Sequence, residues 1–195
     1  MIRNLVITGI GGQGVVSCAA LLRWAALAAG YTLTGSDNRG GAQRLGHVAA
    51  VIRLTDEPDT PLAPDIPDLC CDLLISLEAS EGLRYASILG PRSLVIHDSR
   101  IVVPTNQRRN RLPYPDADAC TTAYRERAGR VIRIDADRSA RERFGKAVLG
   151  GMILMGAGLG HAGLLNISEY ILSSIDNDSA AAFAFGRGLA TGADA

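Results

Sequence analysis

The sequence predicts one α/β domain, a three-layer sandwich around a mostly parallel, Rossmann-like sheet. Three observations carry this. Short apolar runs such as Leu5 to Thr8 and Asp72 to Leu77 recur along the chain, as buried strands require. Helical stretches alternate with them. A glycine cluster stands between the first run and the first helix.

In chain order, Leu5 to Thr8 is a strand and the Ala/Leu-rich stretch Val15 to Ala29 a helix. That helix carries one charge, Arg23, so most of its circumference is expected to be buried or to face a partner. Gly30 stops it, and Tyr31 to Thr34 is read as the next strand, a βαβ unit opening a parallel sheet. Gly35 to Gly46 is a polar, Gly-rich loop, His47 to Leu54 a strand, and Asp56 to Pro67 a proline-rich connection. Strands follow at Asp72 to Leu77, Leu94 to His97 (ending in Asp98) and Val131 to Ile134. Helices are expected at Glu78 to Leu89 and Asp116 to Ala128, with an irregular stretch from Pro104 to Pro115 between strands. Further helices fill Ser139 to about Leu189. Residues 1–190 form a single domain, and 191–195 a frayed tail.

Composition excludes several classes. Lys+Arg and Asp+Glu both total 20, and zero net charge argues against a nucleic-acid binder, which needs a basic surplus. The apolar stretch Val148 to Leu165 has membrane-like length, but its six glycines favour a buried helix with a close-packing Gly156-xxx-Gly160 pattern. No membrane segment and no secretory signal are expected, so the chain is read as cytoplasmic. Cys18, Cys70, Cys71 and Cys120 show no C-x-x-C spacing, so neither a zinc site nor an iron–sulfur cluster is expected here, only reduced, mostly buried thiols.

The chemistry-bearing features are two loops. Gly9-Ile10-Gly11-Gly12-Gln13-Gly14 satisfies G-x-G-x-x-G between strand and helix, where free N–H groups at a helix start favour an anion. Asp37 stands near the position of a ribose-binding acid, which keeps a dinucleotide reading open. Asn38 to His47 adds Arg39, Gly40, Gln43 and Arg44, a flexible segment with two guanidinium groups able to grip a phosphate or carboxylate. If both loops leave neighbouring parallel strands at their carboxyl ends, Arg39 and Arg44 reach over the first loop, and Gln13 adds an uncharged hydrogen-bond partner. His47, His97 and His161 show no carboxylate or nucleophile partner by spacing, and no catalytic or metal-ligating residue is singled out. The basic run Arg108, Arg109, Arg111 is read as a solvated face or a contact to an acidic partner.

Together the loops carry a resemblance. GIGGQGVVSCAALLRWAALAAGY followed by GSDNRGGAQRLGHVAAVIRL resembles the gamma-type domain of pyruvate, ketoisovalerate and indolepyruvate ferredoxin oxidoreductases. Gly40 and Arg44 match the family's second loop, Arg53 its strand end, and Ala42-Gln43-Arg44 is most like the indolepyruvate branch. Cys71 to Glu78, Ile134 to Asp137 and Met152 to Ala157 resemble later family segments, so the likeness spans nearly the whole chain. It departs at Leu45, where the family has glycine, and at Lys146 and Gly151, where it has asparagine.

The resemblance implies a subunit of an enzyme that oxidatively decarboxylates a 2-oxoacid to an acyl-CoA and passes electrons to ferredoxin. Thiamine diphosphate, Mg²⁺ and iron–sulfur clusters are implied to reside on partner subunits, because this chain lacks the Gly-Asp-Gly and cysteine signatures for them. The chain is implied to be inactive alone and to contact CoA or another anion through its Gly-rich loops. The implied partners are the other subunits, ferredoxin through the complex, and a second copy when the chain is isolated. Two other readings compete: a free-standing NAD(P)-dependent oxidoreductase, and a nucleotide-binding module without chemistry.

Overall fold

The structure is a computed structural model; it describes residues 1–40 and 46–191. A six-stranded sheet is built from β1 (Ile2–Ile10), β2 (Thr32–Arg39), β3 (His47–Thr55), β4 (Leu73–Ser76), β5 (Leu94–Asp98) and β6 (Arg130–Ile134) in the order β2-β3-β1-β4-β5-β6. β4, β5 and β6 run parallel to β1, whereas β3 is antiparallel to both β1 and β2. Five strands therefore share one direction, and the expected α/β sandwich with a mostly parallel sheet is borne out.

Alternate strand residues feed two apolar layers, which is why the central strands are continuous apolar runs. Leu5, Ile7, Ile52, Leu73, Ile75 and Ile96 face α1 (Val15–Ala28), α5 (Gly150–His161) and α6 (Leu165–Ser174). Val6, Val51, Leu74 and Val95 face the layer that contains α3 (Ala117–Arg125) and its fully buried Tyr124. The remaining helices are α2 (Thr105–Arg109), α4 (Ala136–Phe144) and α7 (Asn177–Thr191). Residues 192–195 of the expected frayed tail lie outside the described residues.

Three expectations are corrected. The opening strand–helix–strand unit is not a pair of neighbouring parallel strands, because β3 folds back between β1 and β2. The second strand extends to Arg39, so Asp37 lies within it rather than in a loop. Glu78 to Leu89 is not an α-helix but a 3₁₀ segment, Glu81–Ile88, with a kink at Tyr85. The buried Glu78 carboxylate holds its start, since Oε2 accepts the N–H groups of Ser80 at 2.9 Å and Glu81 at 3.0 Å.

Helix α5 is buried from Gly150 to Leu159, as the Gly-rich apolar stretch anticipated. Its glycines let backbones touch: a Cβ on Gly156 would sit 2.0 Å from Phe183 O, and one on Gly186 of α7 1.9 Å from Ile153 O. No described helix is long and apolar enough to cross a membrane.

Candidate functional site at the carboxyl edge of the sheet

The Gly9–Gly14 turn leaves β1 at its carboxyl end. Gly12 and Gly14 take φ of 96° and 86°, left-handed values that L side chains rarely adopt. Gly14 is the N-cap of α1, and the first intrahelical bond is Cys18 N–H to Gly14 O at 2.9 Å. The N–H groups of Val15, Val16 and Ser17 precede it and have no intrahelical acceptor. With the positive helix end they favour an anion.

Gln13 is not available to a ligand, contrary to expectation. Its Oε1 accepts Ile10 N–H and its Nε2 donates to Leu77 O, each at 2.8 Å. Gln13 is a brace that joins the turn to the end of β4. Gly9 must be glycine for the same reason, since a Cβ there would lie 2.6 Å from Gln13 Oε1.

Both glycine-rich loops do emerge at one edge, because β2 and β1 share a direction. They are separated by β3, and the second loop is the β2–β3 hairpin. Gly40 N–H donates to His47 O at 2.7 Å, and Gly46 O accepts Gly11 N–H at 2.9 Å, so the hairpin is hydrogen-bonded to the first turn. Arg39 is exposed and lines an open groove of 400 Å³ with Gly11, Gly12, Val15, Val16 and Ser17. Gln43 and Arg44 lie outside the described residues.

Beyond Val148 the groove adjoins an apolar pouch of 200 Å³ bounded by Leu21, Met152 and Ile175. Gly151 packs closely here: a Cβ would approach Cys18 Sγ to 2.8 Å. Lys146 pairs with Asp178 at 2.5 Å.

Two polar clusters at this edge escaped the sequence reading. Asp98, at the end of β5, is buried and lines a small cleft with Gly12, Arg100 and Asp137. It accepts Arg100 N–H at 3.1 Å and Asp137 N–H at 2.9 Å, and burial pushes its carboxyl up to about 6. The Arg100 guanidinium meets Asp137 at 2.8 Å. An anion is therefore repelled on the Asp98 side of Gly12 and favoured on the Arg39 side. The signal available was Asp-x-Arg after an apolar run, a pattern too common to single out.

The second cluster corrects the reading of His47, which does have a carboxylate partner. Its Nδ1 is 2.6 Å from Glu81 Oε2 and its Nε2 3.2 Å from the Tyr85 hydroxyl. Those partners come from a segment far along the chain, so spacing gave no hint of them.

The dinucleotide arrangement is not assembled. Asp37 sits on the edge strand, one strand removed from β1, and is paired with Arg23 at 2.6 Å. A ribose held at the glycine turn would need its acid on the strand next to β1. Cys18 is buried on one face of the sheet and Cys71 and Cys120 on the other, and among the described residues no group of His, Cys, Asp and Glu has the makings of a metal site. Among the described residues, the side chains do not fit an iron–sulfur cluster or Mg²⁺.

Comparison with known proteins settles the family. Residues 4–183 match the family described as Pyruvate ferredoxin/flavodoxin oxidoreductase. The chain belongs to this family. Among its pyruvate ferredoxin/flavodoxin oxidoreductase relatives is indolepyruvate oxidoreductase subunit IorB of Archaeoglobus fulgidus, 32% identical over 158 residues, covering 81% of this chain and 76% of the relative. The subunit of the same name from Thermococcus kodakarensis is 34% identical over 155 residues, 79% of this chain and 75% of the relative. In fold, the chain is similar to the gamma subunit of a keto/oxoacid ferredoxin oxidoreductase from Geobacter sulfurreducens, with TM-score 0.68, 18% identity and coverage of 99% and 98%. It also matches 31% of the 2-oxoglutarate:ferredoxin oxidoreductase chain from Magnetococcus marinus, with TM-score 0.67, 16% identity and 98% of this chain covered. The family's fold thus occurs both as a separate subunit and as part of a longer chain.

Proposed function

We propose that this chain is the gamma-type subunit of a cytoplasmic 2-oxoacid:ferredoxin oxidoreductase. The complex decarboxylates a 2-oxoacid oxidatively to an acyl-CoA and passes the electrons to ferredoxin. Its relatives' names favour indolepyruvate as the substrate class. Thiamine diphosphate, when bound in the complex, supplies carbanion stabilisation; it, Mg²⁺ and the iron–sulfur clusters belong to partner subunits.

This chain's own part is to present the carboxyl edge of its sheet to the reaction, with a phosphate-bearing substrate such as CoA as the anion. One observation carries this: the residues that start α1 and Arg39 line the same open groove, which adjoins an apolar pouch. Phosphates would meet the N–H groups and Arg39, and a thin apolar arm the pouch. Gln43 and Arg44, outside the described residues, are assigned to the same anion contact on sequence grounds.

The test has two arms. The isolated chain, given thiamine diphosphate, a 2-oxoacid and an electron acceptor, shows no turnover; turnover would overturn the subunit reading. In the complex assembled with its partner subunits, Arg39→Ala and Arg44→Ala each raise the KM for CoA while assembly is retained. Loss of assembly with an unchanged KM assigns these arginines to an interface instead.

A further inference from the structure

The amino-terminal edge of the sheet, opposite the glycine turn, holds a second cavity of 170 Å³. Its floor is Leu5, the fourth residue of β1, with its register neighbours Leu73 and Leu94, the first residues of β4 and β5. Ala162 and Leu164, just after α5, close one side. Arg3, Arg92, Asp72 and His161 supply the polar lining. Asp72 is already engaged, since its Oδ2 accepts Asn4 N–H at 2.7 Å. Neither Arg3 nor Arg92 forms an ion pair among the described residues, and the charge that Arg3 influences is the exposed Asp56. The lining therefore keeps a positive surplus.

His161 defines the chemistry further. Its Nδ1 lies 3.2 Å from Arg130 Nη1. A guanidinium only donates, so Nδ1 must be the acceptor and the ring proton is on Nε2. Nε2 is buried and has no hydrogen-bond partner. A buried N–H donor without an acceptor is uncommon and calls for one. Two arginines and a histidine with an orphan N–H line a cavity with a leucine floor, which fits an acceptor-only group attached to something apolar, with a small turn of the ring bringing Nε2–H to it.

We propose that this cavity binds a small organic carboxylate. The carboxylate head would be shared by Arg3, Arg92 and the Nε2–H of His161, and a short aliphatic body would cover Leu5, Leu73 and Leu94. A carboxylate suits planar guanidinium groups. The volume is below that of sites for drug-sized ligands, so nucleotides and acyl-CoA are excluded. The site is separate from the carboxyl-edge groove and does not depend on the function proposed for it.

The probes are butyrate, acetate and inorganic phosphate, titrated into the full chain by calorimetry and by the ¹⁵N shift of His161. Butyrate is expected to bind roughly tenfold more tightly than acetate, through its additional buried methylenes, and to shift Nε2 but not Nδ1 strongly. Arg92 is exposed, so Arg92→Gln is expected to leave the melting curve unchanged and to weaken butyrate by about tenfold. His161→Phe keeps a ring of similar shape and is expected to weaken it too. No saturable binding, phosphate binding tighter than butyrate, or an Arg92→Gln variant that binds normally would each overturn the proposal. The assembled complex separates the two sources of a carboxylate. Retained butyrate binding supports a free acid as ligand. Loss of binding on assembly gives the position to a carboxylate side chain of a partner subunit and overturns the free-ligand reading.

Discussion

Glu81 Oε2 accepts hydrogen bonds from both His47 Nδ1, at 2.6 Å, and Arg84 Nε, at 2.7 Å. One carboxylate oxygen thus ties the first residue of β3 to the kinked segment that follows β4. Burial alone would raise this carboxyl, but the hydrogen bonds from His47 and Arg84 outweigh it and hold Glu81 below its ordinary range. A carboxylate depressed in the folded state contributes stability above its unfolded pKa and loses it as pH falls. Glu81→Gln is therefore expected to destabilise the chain by about 1–3 kcal/mol at pH 7 and by less in acid. Urea denaturation at pH 7 and pH 4 checks this, and an equal loss at both would contradict the ionic role.

His97 and Asp98, adjacent at the end of β5, titrate in opposite senses. Burial holds the His97 imidazole down at about 4, with Nδ1 facing Asp98 O at 2.8 Å and Nε2 facing the Thr121 hydroxyl at 3.1 Å. The folded state then binds fewer protons at His97 than the unfolded chain between its ordinary value and about 4, so acidification through that window costs stability. Asp98, raised to about 6, does the reverse: its contribution is present at low pH and is lost as pH rises toward 6. The two effects oppose each other where the windows overlap. Imidazole and carboxyl NMR titrations should place His97 near 4 and Asp98 near 6; a His97 midpoint at its ordinary value would show that the ring is not desolvated.

Gly156→Ala should be among the most damaging small substitutions in α5. The new methyl would meet Phe183 O, a backbone atom that cannot move without shifting α7. A loss of about 2–4 kcal/mol is expected, despite the better helix propensity of alanine. Gly188, where a Cβ meets nothing within 4 Å, serves as the control, and Gly188→Ala should be neutral or stabilising. Equal melting temperatures for the two variants would mean that α5 and α7 do not pack this closely.

Leu22→Asp tests the first helix. Leu22 is fully buried between α1 and the sheet, so an unpaired carboxylate there is expected to cost about 3 kcal/mol or more. Trp24, two residues on, is 48% exposed, and Trp24→Asp should leave the fold intact. A melting curve unchanged by Leu22→Asp would mean the helix faces are assigned the wrong way round.

Much of this architecture was legible because the signals are local. Apolar runs at Leu5 to Thr8 and Asp72 to Leu77 have the length and bounds of buried strands, and Gly9, Gly11, Gly12 and Gly14 mark a tight turn wherever the strand goes. The burial of α5 followed from its lack of charge. Sheet order was not legible, because a strand's pattern records that it is buried but not which neighbour it bonds. Tyr31 to Thr34 and His47 to Leu54 read alike whether they run parallel or form a hairpin.

The sequence by itself determined that this chain folds as an α/β domain of a 2-oxoacid oxidoreductase family, with a glycine turn opening the first helix. Only the tertiary structure decided that Gln13 braces that turn, that β3 separates the two loops, that His47 meets Glu81, and that Arg3, Arg92 and His161 converge at the opposite edge. The physical reason is the range of the interactions. Turn geometry and helix-end polarity act within a few residues, whereas Gln13 to Leu77, His47 to Glu81 and Arg3 to His161 are brought together across long stretches of chain by burial of the sheet.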